Sequence, residues 1–311
     1  KMPREHTKEK MKGWLVNDRL TCVPGTRTFW HDLLEWLPGL EDKTDGHTPF
    51  GTLPFKINND AHAMGSPDYI IRNATFFPKL DIPTKTISFL QDRQEDITRQ
   101  LDVCNSSDVV VFNSPYTKSL YEEYITVPTE TIVIGTDFEK FKPSCEIHKA
   151  VLPNSIVFVG AFNNYPKGFD IFLEVAQNLP LDFNFCLIMK DNFTNLQLPK
   201  SLQNRTVVFN QIKQELMCTI FNSCTIMICT SREETLHLAG VEAGACNLPI
   251  IAANVGVYYN REDGPWGSVA SSVDDFVSKL QIKRSGSPRE YWLKEGYDRD
   301  SCRERWRRII K

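Results

Sequence analysis

The sequence predicts an α/β chain of two doubly wound domains, each a parallel sheet covered by helices. Three observations carry this. The chain has 311 residues, 41% of them hydrophobic, which allows two domains of roughly 150 residues with real cores. Short β-branched or apolar runs alternate with stretches of helical period, the pattern of strand–helix–strand units. A polar, turn-prone stretch from Ser144 to Leu152 separates two such series and reads as a linker.

The first series opens with a strand at Trp14–Val16 and a loop containing Pro24 and Gly25. An amphipathic stretch follows from Phe29 to Leu37, with Phe29, Leu33, Leu34 and Leu37 on one side, and Phe29, Trp30 and Trp36 are assigned to the core. Residues 41–66 are rich in turn formers and receive no assignment. Tyr69–Ile71, Thr86–Leu90 and Asp108–Phe112 are further strands. Ser114 reads as the N-cap of a helix over Pro115–Tyr124, with proline at the first helical position, where its missing N–H costs nothing. Thr131–Ile134 is expected to close this half as a strand, broken by Gly135.

The second series is expected to run through strands Ile156–Val159, Asn184–Met189, Val207–Phe209, Thr225–Cys229 and Pro249–Ala252. Helices are expected at Asp170–Asn178, Glu215–Asn222, Leu238–Cys246 and Val273–Gln281. The stretch from Arg289 to Lys311 is charged and helical in character.

Composition and motifs exclude several functions. The balance of 36 basic against 39 acidic residues, net charge -3, argues against nucleic acid as a partner. No run approaches 18 apolar residues, and the opening residues lack a signal peptide's apolar region. Nine cysteines form no C-x-x-C pair, and Cys186, Cys224 and Cys229 sit in apolar runs, as buried free thiols do. The six histidines do not join them at zinc-site spacing. Glycosylation triplets at Asn73, Asn105, Asn192 and Asn204 arise often by chance. A reducing, cytoplasmic location is therefore expected. There is no G-x-G-x-x-G, no P-loop and no G-x-S-x-G elbow. The pair Asp298-x-Asp300 has metal-ligand spacing, but it stands among arginines and reads as a solvated face.

One constellation remains, from Thr230 to Gly244, at the expected C-terminal end of a strand and running into a helix. Open α/β sheets bind ligands at such strand ends, and a helix N-terminus offers unpaired N–H groups to a phosphate. Glu234 would stand at the mouth of this helix and Glu242 two turns along it. Carboxylates there are strong acceptors for sugar hydroxyls.

This segment resembles the E-x7-E region of glycosyltransferase family 4, retaining enzymes of the two-domain GT-B fold. Three further pieces fall in that family's order. VFVGAFNNYPKGFDIFLEVA (157–176) is similar to its strand, glycine loop and Lys-Gly, and TIVIGTDFEKFKP (131–143) to its interdomain strand. VVVFNSPYTKSLYEEY (109–124) is similar to the strand and Ser-capped helix before it. The likeness covers residues 84–260 well and the N-terminal part only in plan; 311 residues are short for this resemblance, so the first domain is expected to be shortened. It implies two Rossmann-like domains facing across a cleft. Residues 1–144 would form the acceptor side, 145–290 would bind the donor, and 291–311 would form a helix returning to the first domain.

The resemblance also assigns roles. Glu242 would accept hydrogen bonds from ribose hydroxyls, and Glu234 would hold a hydroxyl of the donor sugar. Lys167, with backbone N–H groups near Thr235 to Leu238, would stabilise the charge on the departing diphosphate. Gly160, Gly168, Ser231 and Leu238 would complete the donor site, and the Gly25 loop would face the phosphates. Asp92 would lie on the acceptor side. The donor would be a nucleoside-diphosphate sugar such as a UDP- or GDP-sugar, the acceptor a glycan or lipid-linked molecule, and no metal or other cofactor is expected. Membrane contact, from the arginines around Trp306, would be peripheral at most.

Three departures stand out. Ala161 occupies a position where family members often carry arginine, so Lys167 carries that load, helped by Arg232. His237 replaces a glycine and would crowd or contact the donor sugar. Gln91-Asp92 replaces a His-Asp pair, and an amide cannot act as base. A degenerate nucleotide- or partner-binding protein without turnover therefore stays open as an alternative. So does a GT-B epimerase or phosphorylase.

Overall fold

A computed structural model of the chain describes residues 11–16, 30, 32–43, 66–73, 83–93, 97–190 and 196–311. It divides into two compact units. The first comprises Lys1–Asn113, Thr117–Val133 and Arg303–Lys311, and the second Ser114–Tyr116 and Ile134–Cys302.

In the first unit six parallel strands are described: β1 (Gly13–Val16), β2 (Leu40–Asp42), β3 (Tyr69–Asn73), β4 (Lys85–Leu90), β5 (Val109–Phe112) and β6 (Thr129–Thr131). They lie in the order β2-β1-β3-β4-β5-β6. The inner strands read GWLV, YIIRN and VVVF because a parallel strand covered on both faces has no solvated side to alternate with. Leu90, Val110 and Phe112 pack with Cys104 and Tyr121 from the flanking helices, Ile97–Asn105 and Pro115–Tyr121. Trp30 and Trp36 are buried, as expected, while Phe29 and the Gly25 loop lie outside the described residues.

Arg72, in the middle of β3, is fully buried. It donates to Ser88 Oγ, Val103 O, Ser106 Oγ and Ser107 Oγ at 2.6 to 3.0 Å. Burial pulls its pKa down to about 10, which still leaves it charged at neutral pH. The last residues of the helix Arg299–Ile309 complete this core: Trp306 is fully buried and meets Phe89 edge-on at 5.3 Å.

Six parallel strands also form the described sheet of the second unit: β7 (Ser155–Gly160), β8 (Asn184–Met189), β9 (Thr206–Asn210), β10 (Ile226–Cys229), β11 (Ile250–Ala252) and β12 (Gly267–Val269). Their order is β12-β11-β10-β7-β8-β9. Phe158, Phe169, Phe172 and Phe185 make the centre of its core. The chain builds β7 to β9 outward, then returns to the other flank of β7 with β10. The connections leaving β7 and β10 therefore diverge, and a crevice opens at their carboxyl ends.

Several expectations are corrected. The strand placed at Thr131–Ile134 is Thr129–Thr131: pairing begins at Pro128, whose carbonyl accepts from Val110 N–H at 3.0 Å. Ile132 to Ile134 are buried without being a strand, so their apolar run reports packing rather than pairing. The helix over Pro115–Tyr124 ends at Tyr121 and tightens into a 3₁₀ turn, Glu122–Tyr124. Between Arg289 and Lys311 there are two helices, Pro288–Lys294 and Arg299–Ile309, parted at Gly296 (φ +74°). Asp298 caps the second: its carboxylate accepts from Ser301 N–H at 2.9 Å and Ser301 Oγ at 2.6 Å. Cys186 and Cys229 are buried, whereas Cys224 is half-buried.

Candidate active site

The site grows from the crevice between β7 and β10. After Gly160 the chain makes a 3₁₀ turn at Tyr165–Lys167 and enters the helix Phe169–Asn178 through Gly168, whose φ is +65°. Glycine is required there, because a Cβ would collide with the carbonyl oxygen of Thr230 as well as demand a left-handed backbone. Thr230 Oγ1 donates to Gly168 O at 2.8 Å, and Arg232 N–H donates to Pro166 O at 2.8 Å. The loop after β7 is thus latched to the loop after β10.

The latch delivers Lys167 to Glu234. Their Nζ and Oε1 atoms are 2.5 Å apart, and Ser231 Oγ donates to the same Oε1 at 3.2 Å. Glu234 is nearly enclosed, with its side chain 10% exposed against 31% for Lys167. The helix Leu238–Ala245 starts four residues past Glu234, and its N-terminus carries partial positive charge.

His237 precedes that helix in the left-handed conformation (φ +66°, ψ +61°). Its Nδ1 lies 2.7 Å from Tyr258 Oη. Burial pushes its pKa down to about 4, Glu234 opposing the fall and Lys167 adding to it, so the imidazole is neutral at pH 7. Leu238, next along, is half-buried.

Glu242 lies five residues beyond His237, about 7.5 Å along the helix axis. It is buried, and Gln214 Nε2 donates to its Oε1 at 3.3 Å. Lys140 Nζ in turn donates to Gln214 Oε1 at 2.9 Å. Burial raises the Glu242 carboxyl to about 7, against the weaker effects of Gln214 and Lys140.

Arg232 turns away from this cluster. Its guanidinium forms a bidentate pair with Asp170 (2.7 and 2.6 Å), donates to Tyr165 O at 3.0 Å and covers the Tyr165 ring at 4.0 Å. Ala161 is buried beside the turn. The crevice therefore gathers Gly160, Lys167, Gly168, Ser231, Glu234 and His237, with Glu242 farther along the same helix.

Asp92 belongs to the first unit, just past β4. Burial raises its pKa. The backbone there is held from both sides: Asn113 Nδ2 donates to Gln91 O at 3.0 Å and Gln100 Nε2 to Asp92 O at 2.8 Å. Tyr121 Oη donates to Gln100 Oε1 at 2.7 Å, extending the support. The Gln91 amide is buried with no hydrogen-bond partner among the described residues.

Tyr258 and Gln214 escaped the sequence reading, yet each fixes a residue that it singled out. A signal for Tyr258 was present: two glycines inside an eight-residue helix require close neighbours. A Cβ on Gly240 would strike Tyr258 Oη, and one on Gly244 would strike the Trp292 ring. Gln214 carries no such mark.

Residues 153–282 match the family described as glycosyl transferases, group 1. That range contains Lys167, Glu234, His237, Glu242, Gln214 and Tyr258. The chain is also 28% identical over 159 residues to an uncharacterized glycosyltransferase of Methanocaldococcus jannaschii, a match spanning 49% of this chain and 41% of that protein. A glycosyltransferase from Rickettsia africae has a similar structure, with a TM-score of 0.75 at 15% identity over 97% of this chain and 98% of that one. So does HepE of Anabaena, solved with UDP and glucose, at 0.73 and 16% identity over 96% and 99%. These likenesses show the fold: two α/β units with parallel sheets, of the GT-B class. Among the described residues no helix is long and apolar enough to cross a membrane, and no group of three or more metal-ligating side chains is found.

Proposed function

We infer that this chain transfers a sugar from a nucleoside-diphosphate sugar to an acceptor with retention of anomeric configuration. The observation that carries this is the Lys167–Glu234 pair, held at 2.5 Å at the mouth of a helix and in the crevice between diverging strands. In this reading Lys167 and the backbone N–H groups from Thr235 to Leu238 meet the departing diphosphate. HepE, which shares this fold, was solved with UDP and with UDP-glucose.

Each residue then has a task. Lys167 and the N–H groups from Thr235 to Leu238 stabilise the charge that grows on the diphosphate as the glycosidic bond breaks. Because that charge is larger in the transition state than in the bound substrate, the contact raises the rate rather than binding alone. Lys167 exchanges part of its contact with Glu234 for the phosphate, which frees Glu234 to accept from a sugar hydroxyl. Glu242, enclosed along the helix, takes the ribose hydroxyls with Gln214 beside it. With Ser231 Oγ and a sugar hydroxyl both donating to it, Glu234 makes a poor nucleophile. We therefore assign retention to a same-face displacement without a glycosyl-enzyme. Asp92 is assigned to the acceptor, and catalysis is taken to need no metal.

Transfer and slow hydrolysis of UDP- and GDP-sugars test this reading. Lys167→Ala and Glu234→Gln should each lower turnover on the order of 100- to 1000-fold with little change in melting temperature. Unchanged turnover removes the site assignment, and an inverted product anomer, read by NMR, removes retention. A second reading, a binding protein without turnover, draws on the His237 side chain where a glycine would leave room. Nucleotide binding with neither hydrolysis nor transfer, across acceptors, would favour it.

A further inference from the structure

His237 adopts a left-handed backbone conformation (φ +66°) that an L-residue rarely holds unaided. Such a residue persists where its surroundings over-determine it. Three of its neighbours do so. Tyr258 is fully buried on the 3₁₀ turn Gly256–Tyr258, where its ring stacks on Trp266 at 5.4 Å and meets Trp292 edge-on at 6.3 Å. Val257 N–H donates to Leu236 O at 3.1 Å, tying this turn to the residue before His237. Gly240 leaves the gap through which Tyr258 Oη reaches Nδ1, since a Cβ would strike the hydroxyl and lie 2.6 Å from Nδ1.

The proton on this contact can be placed. Among the described residues His237 Nδ1 is the hydrogen-bond partner of the Tyr258 hydroxyl. Burial holds the phenol protonated at any ordinary pH. If Nδ1 carried its own proton, the Tyr258 O–H would be buried with nothing to donate to, which is unfavourable. The hydroxyl therefore donates, Nδ1 accepts, and the imidazole proton sits on Nε2. Nε2 makes no hydrogen bond among the described residues. The charged groups acting on the ring are Glu234 and Lys167.

We propose that Tyr258 is a positioning residue that locks His237 as its Nε2–H tautomer, and that His237 thereby presents a neutral hydrogen-bond donor to an oxygen of the transferred sugar. This rests on the donor-site reading above and extends it to a specificity determinant. A neutral donor beside Glu234 complements it: the carboxylate accepts from one hydroxyl while the imidazole donates to a ring or hydroxyl oxygen. A sugar lacking an oxygen at that place would leave the donor unpaired.

Two measurements test the proposal separately. In long-range ¹H–¹⁵N spectra of histidine-labelled protein, assigned with His237→Ala, the His237 nitrogens should show a protonated Nε2 and a bare Nδ1 at pH 7. Tyr258→Phe should collapse that separation toward a tautomer mixture. A protonated Nδ1 in the unaltered protein overturns the lock, whatever the protein does. For the sugar contact, calorimetry with UDP, UDP-glucose, GDP and GDP-mannose gives the second answer. With whichever base binds, Tyr258→Phe should weaken the nucleotide sugar about 5- to 10-fold and the bare nucleotide less than 2-fold. The same change in a His237→Ala background should add nothing. Equal losses for nucleotide and nucleotide sugar, or a full loss without His237, overturn the contact. If the unaltered protein binds none of the four, the donor-site reading fails and the contact with it, while the spectrum still decides the lock.

Discussion

Glu242 and His237 stand five residues apart and are both nearly enclosed, yet burial acts on them with opposite sign. Glu242 rises from an ordinary value of 4.5 to about 7, so the folded chain holds a proton there that the unfolded chain has lost. Its stabilising effect is full below pH 4.5 and disappears as pH rises through 7. His237 falls from 6.5 to about 4, so its effect is full above pH 6.5 and is lost as pH falls through 4. Between pH 4.5 and 6.5 the two slopes oppose each other. Glu242→Gln should leave the His237 slope uncompensated. Urea melts of the variant should then lose stability more steeply than the unaltered protein, by on the order of 1 kcal/mol per pH unit as pH falls across that window. Parallel profiles would contradict this. Nucleotide affinity should also rise several-fold from pH 6 to pH 8 as Glu242 ionises, and the variant should show no such rise. At this scale Lys167, Glu234 and Glu242 could be singled out because they stand in motifs of ordered spacing, and the structure brings Lys167 and Glu234 together. Tyr258 and Gln214 were not, because each meets its partner more than 20 residues away.

At the scale of elements, the latch between the loops after β7 and β10 is the feature to test. Gly168→Ala forces a Cβ against Thr230 O at φ +65° and should cost about 2–4 kcal/mol in stability. Because the same latch aims Lys167, the residual folded protein should also lose turnover well below its melting temperature. A variant destabilised but fully active would show that the latch is structural alone. The inner strands were readable since parallel strands covered on both faces leave unbroken apolar runs. β2 and β12 were not. They are three-residue edge strands, and in β2 only Leu40 is buried. The helix Ile97–Asn105 also received no assignment, because a polar residue, Gln100, occupies its buried face.

On the scale of the whole molecule, each unit closes a core of its own around its own sheet, and a defect can be placed in one of them. Arg72→Leu removes the charge that binds three serines and the Val103 carbonyl inside the first unit. It should lower stability by about 2–4 kcal/mol while leaving UDP or GDP affinity unchanged below the melting range. A parallel loss of nucleotide affinity would place part of that site in the first unit. The two-domain plan was legible from the repeated strand–helix alternation, although the second unit takes up the chain at Ile134, before the polar stretch read as a linker. The first half was the harder to read, since few of its residues belong to a motif with ordered spacing.

The return of the chain to its first unit has a consequence during synthesis. Trp306 fills the centre of a core whose other parts, Trp30 and Phe89, emerge more than 200 residues earlier. Lys85 Nζ likewise donates to Ile309 O, and Arg307 Nε to Trp36 O. The second unit holds its sheet within residues 134–302. The half translated first must therefore wait, with a gap at its centre, until residues 303–311 have left the ribosome, and the half translated later has all of its strands before then.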